Sequence, residues 1–231
     1  MNAVLAVVAV ASIEVIAGAA MIRFSTHQAM PNPHSELASV SAASERIEAT
    51  DALSMAQWVA RSGDAGRRPF VIVDKAHARV MAFKASGELR SSSPALLGLA
   101  HGDDSVPGIG SRKVADVRPE ERITPAGRFI ARRGHNLDGE DVVWVDYDAA
   151  VSMHRVRSTQ ESERRLQRLA TPTIDDNRIS YGCINLPAAF YDEVIDPMTR
   201  AAPVVIYVLP ESRSIADVFA LRKVAKAPNP S

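Results

Sequence analysis

The chain of 231 residues contains a single cysteine and few aromatic residues, which make up 5% of it. One cysteine excludes an intramolecular disulfide and any metal site built on several thiolates. Charge of one sign does not accumulate either, because 27 lysines and arginines balance 27 aspartates and glutamates. A chain without a global basic field is not expected to bind nucleic acid, so any partner must be recognised locally. The sequence shows no internal repeat.

The longest apolar run lies at the N-terminus. Residues 3–22 are almost continuously apolar, with Glu14 as the only charge, and Ala17-Gly18-Ala19 fits a small-x-small cleavage site. The usual positive residues before such a run are missing. Residues 1–23 are therefore predicted to be either a signal peptide or a membrane anchor. Both interpretations imply export to the periplasm or cell envelope, with membrane contact only through this segment.

The rest of the chain divides into three parts. Residues 24–66 contain a proline-bearing linker and then a helix with an apolar stripe, predicted to begin after Ser35 and to end near Arg61. Residues 67–212 have the texture of short strands and form the predicted catalytic domain. Residues 213–231 are predicted to be a C-terminal tail that begins with a short helix.

Within the predicted domain, seven segments have strand texture and one long glycine- and proline-bearing segment, 101–127, is a loop. A loop of this length inside a domain is usually functional or mobile. Many short strands with few long helices predict a mainly β fold rather than a doubly wound one. The predicted strands are 70–74, 78–84, 91–100, 127–134, 141–148, 150–156 and 203–210.

The lone cysteine lies in the segment RISYGCINLP, residues 178–187. Without context, a lone cysteine is most often a small buried hydrophobe. Here Gly182 precedes it and permits a tight turn, and Pro187 suits the first turn of a helix with an apolar face, which Pro197 is predicted to end. A cysteine that approaches the positive end of a helix has its thiolate favoured. The segment therefore predicts that Cys183 is a nucleophile.

A base is needed to take the thiol proton, and a neutral histidine suits this role. His154 lies on a predicted strand, where it shares one face with Ser152 while Met153 points to the opposite face. Its position alone is equally compatible with a structural histidine. His101 and His135, in predicted loops, remain alternative bases.

The sequence around Cys183 resembles a known family. The residues SYGCIN resemble the S/T-H-G-C-x-N/R signature of L,D-transpeptidase catalytic domains, which have the YkuD-type fold. ITPAGRF, at 123–129, resembles the T-P-x-G-x-F segment of that family, and VSMHRV places His154 where the family has its catalytic histidine. The three segments occur in the family's order and the resemblance covers about 70–210. It implies a β-sandwich-like catalytic domain, here preceded by an N-terminal helix.

The resemblance implies an activity and a substrate. L,D-transpeptidases act on peptidoglycan stem peptides in cell-wall biosynthesis, including the maintenance of cell shape. The implied reaction uses Cys183 as nucleophile and His154 as base, without a metal or organic cofactor. It releases D-alanine from a tetrapeptide stem and leaves a thioester that an amine resolves. The acceptor stays open between crosslinking, protein attachment and D-amino acid exchange. Carbapenem acylation of Cys183 is also implied.

Further site residues follow from the motif. The backbone amides of Gly182 and Cys183 are the implied oxyanion hole. The Ser180 hydroxyl and a carbonyl group nearby are expected to orient the imidazole through its second nitrogen. Tyr181 stands where the family usually has a histidine and either adds a hydroxyl or packs as an aromatic ring. Asn185 is expected either to contact substrate or to cap the following helix.

An insertion, residues 155–168, separates His154 from the cysteine motif and departs from the usual family spacing. It holds five arginines and two glutamates. Glu161 and Arg165 are predicted to pair on a short helix. Arg164 and Arg165 belong either to a solvated basic surface or to a lid that meets the carboxylates of stem peptides.

Three other functions fit parts of the sequence. Attack of water on the thioester or on a related crosslink would make the protein an L,D-carboxypeptidase or endopeptidase. A non-catalytic cell-wall binding module is disfavoured by the Cys183 and His154 pair. An unrelated intracellular Cys-His protease is disfavoured by the apolar N-terminus. No metal site is predicted, since His101 with Asp103 and Asp104 fits an exposed turn better.

Overall fold

The computed structural model describes residues 51–158 and 160–219. The predicted signal segment, the linker, the first part of the following helix and the last part of the tail lie outside the described residues. In chain order the described strands are β1 (Phe70–Asp74), β2 (Arg79–Phe83), β3 (Leu89–Pro94), β4 (Leu97–Gly98), β5 (Gly127–His135), β6 (Asp141–Asp146), β7 (Val151–Arg155), β8 (Arg178–Ser180), β9 (Ile184–Leu186) and β10 (Val204–Val208).

The described helices are short. Residues 51–62 form α1, and they are followed by α2 (Arg165–Ala170), α3 (Ala188–Phe190), α4 (Asp196–Ala201) and α5 (Ile215–Phe219). None of the helices in the described part of the chain is long and apolar enough to cross a membrane. The mainly β fold with a few helices that the sequence predicted is confirmed.

Eight strands form one sheet in the order β3-β2-β1-β10-β5-β6-β7-β9, and β4 pairs with β8 separately. The central strands β1 and β10 run parallel, and every residue of both is buried. Their sequences, FVIVD and VVIYV, are almost entirely apolar, as expected of strands that are covered on both faces.

Strand β5 belongs to both halves of the large sheet. Its first part pairs with β10 between Gly127 and Ala131, and its second part pairs with β6 between Arg132 and His135. Residues of both halves then meet in one apolar core, so the two halves pack face to face. This core includes Val71, Val80, Val143, Met153, Ile184, Leu186 and Ile206.

A second apolar cluster covers the other face of β1, β2 and β10. Met55, Ala56 and Val59 of α1 pack there against aromatic residues of the strands. Phe70 and Phe83 stack with ring centroids 5.3 Å apart. The helix that the sequence predicted before the domain thus contributes to burying the central strands.

The helix after Pro187 runs further than predicted. Its apolar face is buried, but Pro197 does not end it. A π-helical turn, Tyr191–Ile195, follows α3, and α4 continues with Pro197 in its first turn. A proline is tolerated there because its missing N–H would have no partner at the start of a helix.

Candidate active site

Parallel pairing of β7 and β9 brings His154 and the cysteine motif together. The register places Met153 opposite Ile184 and His154 opposite Asn185. Cys183 directly precedes β9, so this register brings it beside Ser152. Ser152 and His154 are two residues apart on one strand and share a face. The histidine and cysteine, distant in sequence, therefore lie on the same side of the sheet.

The thiol of Cys183 is half-buried among polar atoms. Its Sγ lies 3.6 Å from Ser152 Oγ and 3.7 Å from the Ala150 carbonyl oxygen. Burial raises the pKa of the thiol. The hydrogen bond and charge of His154, together with the hydrogen bonds of Ser152, lower this pKa by a larger amount. The resulting pKa lies below the ordinary value for cysteine, which favours the reactive thiolate.

The tautomer of His154 follows from its hydrogen bonds. Nδ1 lies 2.8 Å from the carbonyl oxygen of Arg155. A carbonyl oxygen only accepts, so in the neutral ring Nδ1 carries the proton and Nε2 has the free lone pair. The Nδ2 group of Asn185 approaches Nε2 at 3.4 Å. Nε2 is therefore the nitrogen that can take a proton from Cys183.

Gly182 allows the tight turn before Cys183. Its φ angle is 120°, a conformation that residues with a Cβ rarely adopt, and a Cβ there would lie 2.7 Å from the Ile123 carbonyl oxygen. Ser180 Oγ closes the turn, because it accepts from the Gly182 amide at 3.1 Å and donates to the Cys183 carbonyl at 2.6 Å. The Ser180 hydroxyl thus supports the turn, and the Arg155 carbonyl holds the imidazole instead.

Asn185 connects the histidine, the cysteine and the insertion. Its side chain is completely buried, and besides approaching His154 its Nδ2 group donates to the Cys183 carbonyl at 3.3 Å. Its Oδ1 accepts from Arg165 at 2.5 Å. Asn185 does not cap the following helix, whose N-cap is Pro187.

The insertion enters the site through one arginine. Arg165 begins α2, and its side chain is only 14% exposed, with Nε 2.5 Å from Glu163. The predicted pair of Arg165 with Glu161 is wrong, because Glu161 lies in a separate 3₁₀ turn before Arg164, whose positive φ of 49° interrupts the helix. Arg164 itself is exposed. Of the two predicted lid arginines, Arg165 therefore contacts the site residue Asn185, whereas Arg164 lies exposed on the surface.

Tyr181 lies at the rim of the turn. Its side chain is exposed, and the guanidinium of Arg122 lies 3.9 Å from its ring centroid. Such a cation–π contact contributes about 0.5–1 kcal/mol at an exposed site. The ring, rather than the hydroxyl, makes the contact that the structure describes.

A cavity of about 310 Å³ opens beside His154. Its charged groups are paired with one another or with neighbours, as in the ion pairs of Arg155 with Asp141 and of Arg157 with Glu140. His154 thus lines a cavity whose other side chains are mostly charged. The lining residues are His135, Gly139, Glu140, Asp141, His154, Arg155 and Arg157.

The alternative bases do not contact the Cys183 thiol. His135 lines the cavity at the end of β5, and Nδ1 of His101 lies 2.9 Å from Glu211. Neither is a partner of the Cys183 thiol, whose pKa responds to His154. No group of three or more histidine, cysteine or acidic residues that could hold a metal ion occurs in the described ranges.

A network of buried ion pairs, which the sequence did not predict, lies next to the site. Lys75 is completely buried and donates to Asp103 at 2.8 Å and to the Thr124 carbonyl at 3.0 Å. Arg178 pairs with Glu211 at 2.5 Å and donates to the Lys75 carbonyl at 2.7 Å. The network connects β1, the long loop and β8. Lys75 follows a strand at a hairpin turn, where a lysine is normally exposed, so no local signal pointed to its burial.

We expect Lys75→Met to lower the free energy of unfolding by about 3–5 kcal/mol at pH 7, because buried Asp103 would lose its close cation and keep only the long contact with Arg213, at 3.8 Å. Lys84→Met removes a lysine whose ion pair with Glu88 is exposed and should cost less than about 1 kcal/mol. Urea denaturation measures both. Equal losses in the two variants would contradict the prediction.

The ion pair of Lys75 with Asp103 predicts that the stability of the protein depends on pH. Burial raises the pKa of Asp103, but hydrogen bonds from Lys75 and Ser212 lower it more, well below its ordinary value. A depressed carboxyl pKa adds stability above the unfolded-state pKa of about 4, and this stability is lost as the pH falls towards the folded-state pKa. The difference in the free energy of unfolding between wild type and Lys75→Met should therefore become smaller at low pH, which urea denaturation at several pH values measures.

Comparisons with known proteins give structural likenesses only. No protein-family model matches the chain, and no curated protein matches it. Solved structures do match, among them the L,D-transpeptidase from Mycobacterium smegmatis, with 16% identity over 61% of this chain and 58% of that one, and a TM-score of 0.38. This chain thus aligns with less than two thirds of that protein.

Two further structures show similar values. The catalytic domain of the Enterococcus faecium L,D-transpeptidase is 17% identical over 62% of this chain and 98% of that one, with a TM-score of 0.36. The helical cell shape determining protein Pgp2 from Campylobacter jejuni is 15% identical over 68% of this chain and 55% of that one, with a TM-score of 0.40. At these values the likenesses assign no substrate or acceptor to this chain.

Proposed function

We propose that this protein is a cysteine acyltransferase that modifies peptidoglycan, with the activity of an L,D-transpeptidase. The observation that carries the proposal is the pairing of the Cys183 thiol, whose pKa is lowered, with His154, whose Nε2 is the unprotonated nitrogen of the neutral ring. The resemblance of the segments around Cys183, His154 and Thr124 to L,D-transpeptidase motifs supplies the substrate class.

The first half-reaction forms a thioester. His154 Nε2 takes the thiol proton, and the Cys183 thiolate adds to the amide carbonyl after the third residue of a donor tetrapeptide stem. The tetrahedral intermediate collapses when the C–N bond breaks. As this bond breaks, the imidazolium gives its proton to the departing nitrogen, so D-alanine leaves as a neutral amine.

The second half-reaction regenerates the enzyme. An acceptor amine adds to the thioester carbonyl and gives a proton to His154 Nε2, and the C–S bond then breaks to release the Cys183 thiolate. Return of that proton restores the starting pair. Water in place of the amine would yield a shortened stem, so the same residues support hydrolysis. Export by residues 1–23 to the periplasm or envelope would bring the enzyme to its substrate.

The proposal is tested with defined muropeptides and mass spectrometry. Purified protein should convert tetrapeptide stems with an amine acceptor into crosslinked or amine-exchanged products, with release of D-alanine. Shortened stems alone would assign the hydrolytic alternative. Protein alkylated at Cys183, the only cysteine, serves as the control. An equal product yield from alkylated protein would refute the proposal.

We further propose that Arg165 binds the terminal carboxylate of the donor stem. In the departing D-alanine the carboxylate lies two bonds from the nitrogen that His154 must protonate. Asn185 contacts Arg165 through Oδ1 at 2.5 Å and His154 through Nδ2 at 3.4 Å, so a single amide group separates the guanidinium from the imidazole. A guanidinium has five N–H donors, which leaves some for a substrate beside Glu163 and Asn185.

Arg165→Gln should raise KM for the tetrapeptide donor by about 10–100-fold, the value of one charge-assisted hydrogen bond. Arg164→Gln, at an exposed neighbour, should leave KM unchanged. A donor that ends in D-alanine amide should bind wild type and Arg165→Gln equally, because it lacks the carboxylate. Steady-state kinetics with both donors check this. An Arg165→Gln variant with an unchanged KM for the free acid would rule the contact out.

A further inference from the structure

Thr124 lies beneath the turn that carries Cys183 and is 1% exposed. The Gly98 amide donates to Thr124 Oγ1 at 2.9 Å, and Oγ1 lies 2.8 Å from the Gly182 carbonyl oxygen. A carbonyl oxygen only accepts, so the threonine hydroxyl is the donor to Gly182. Both hydrogen bonds of the hydroxyl therefore have a defined direction.

This hydrogen bond determines the direction of the Gly182–Cys183 peptide. The C=O and N–H of a trans peptide point in opposite directions, and no described peptide bond is cis. With the carbonyl directed to buried Thr124, the Cys183 N–H points away from Thr124. The Gly182 amide is already bound to Ser180 Oγ. Of these two amides, that of Cys183 is the one free of this turn's internal hydrogen bonds.

A peptide next to glycine rotates easily unless it is held. Gly182 has no Cβ and adopts a φ of 120°, so the chain itself offers little resistance to a flip. A flipped peptide would direct the Gly182 carbonyl where the Cys183 N–H had been. A carbonyl dipole at that position repels a developing oxyanion, whereas an N–H stabilises it.

Thr124 is itself held firmly. Its carbonyl accepts from buried Lys75 at 3.0 Å. Gly98 packs so closely on the loop that a Cβ there would lie 2.7 Å from the Thr124 nitrogen. The hydroxyl is thus presented by a rigid support rather than by a mobile part of the long loop.

We infer that Thr124 is a positioning residue, which holds the Gly182–Cys183 peptide so that the Cys183 amide stabilises the oxyanion during acyl transfer. The inference rests on the proposed acyl-transfer function. When the thiolate adds to a carbonyl carbon, the carbonyl electron pair moves to oxygen. The Cys183 N–H donates to this oxyanion until the electron pair returns and the leaving group departs.

Two reactions of the Cys183 thiolate distinguish a role of Thr124 in oxyanion stabilisation from a general effect on the reactivity of the thiolate. p-Nitrophenyl acetate acylates Cys183 through a tetrahedral oxyanion and releases p-nitrophenolate, leaving an acetyl thioester. Iodoacetamide alkylates Cys183 by direct displacement of iodide, without an oxyanion. Because the chain has one cysteine, both rates are assigned to Cys183 by mass.

Thr124→Val, which keeps the shape and removes the hydroxyl, should lower the acylation rate about 100-fold, the usual effect of losing an oxyanion donor. Alkylation should stay near the wild-type rate, and Thr124→Ser, which retains the hydroxyl, should acylate nearly normally. The inference would be overturned if Thr124→Val were acylated at the wild-type rate. It would also be overturned if the acylation and alkylation rates of this variant fell by the same factor. If Thr124→Val does not melt cooperatively, the acylation and alkylation rates of Thr124→Ala are compared with those of Thr124→Ser instead.

The outcomes also distinguish this inference from the proposed function. Muropeptides that remain unchanged, together with a Thr124-dependent acylation by the ester, would remove peptidoglycan as substrate and leave the positioning role standing. A wild-type protein that is alkylated but never acylated by the ester would overturn the positioning role itself.

Discussion

Replacing Cys183 by alanine should abolish the formation of muropeptide products. The variant has no nucleophile and cannot form the thioester, and loss of a catalytic nucleophile typically costs about 10⁶ in kcat. Mass spectrometry of the intact protein should show an acyl adduct on wild type and none on Cys183→Ala. Its melting temperature should change little, because the thiol is only half-buried and makes long contacts of 3.6 Å and 3.7 Å.

Cys183→Ser serves as the matched variant. Serine preserves the shape and the contact with Ser152, but its hydroxyl ionises far less readily than a thiol. It should therefore retain the fold and lose nearly all of the activity. Full product formation by Cys183→Ala would place the chemistry elsewhere in the chain.

The second large effect is expected for His154→Gln. Glutamine cannot take or return a proton, and general acid–base catalysis contributes about 10²–10⁴-fold, so acylation should fall within that range. The thiol should also ionise less readily. Although burial raises the pKa of Cys183, His154 is the largest influence that lowers it, so the variant should have a higher pKa.

The rate of alkylation by iodoacetamide as a function of pH measures this change. The inflection should move to higher pH in His154→Gln, because a larger pKa postpones formation of the thiolate. His135→Gln is the matched control, since His135 lines the same cavity as His154 without acting on the thiol. An unchanged inflection in His154→Gln would show that another group controls Cys183.

Most strands were predictable because their signal is local, but the short strands β8 and β9 on either side of Cys183 were not predicted. Apolar runs such as 70–74 and 203–210, and the glycine turn before Cys183, have the same meaning in any fold. The chain order of these segments did not reveal that 70–74 and 203–210 pair as parallel neighbours. That pairing joins the two ends of the domain and depends on long-range packing.

The errors share a physical cause. Pro197 was expected to end a helix and Arg165 was expected to pair with Glu161, because both rules assume one uninterrupted helix. A π-helical turn and the positive φ of Arg164 interrupt the helical repeat in these two segments. Arg165 instead donates to Asn185, a residue far from it in the chain.

The sequence alone predicted Cys183 as the nucleophile. A lone cysteine is most often a small buried hydrophobe, but here it follows a glycine, lies among polar residues and has neighbours that resemble one family. Only the tertiary structure decided which groups serve it. The parallel register of β7 and β9 brings His154 to the same face as Cys183. The Arg155 carbonyl contacts Nδ1 of His154, and Thr124 donates to the carbonyl of the Gly182–Cys183 peptide. These contacts join residues far apart in the chain, and hydrogen-bond direction cannot be read from sequence spacing.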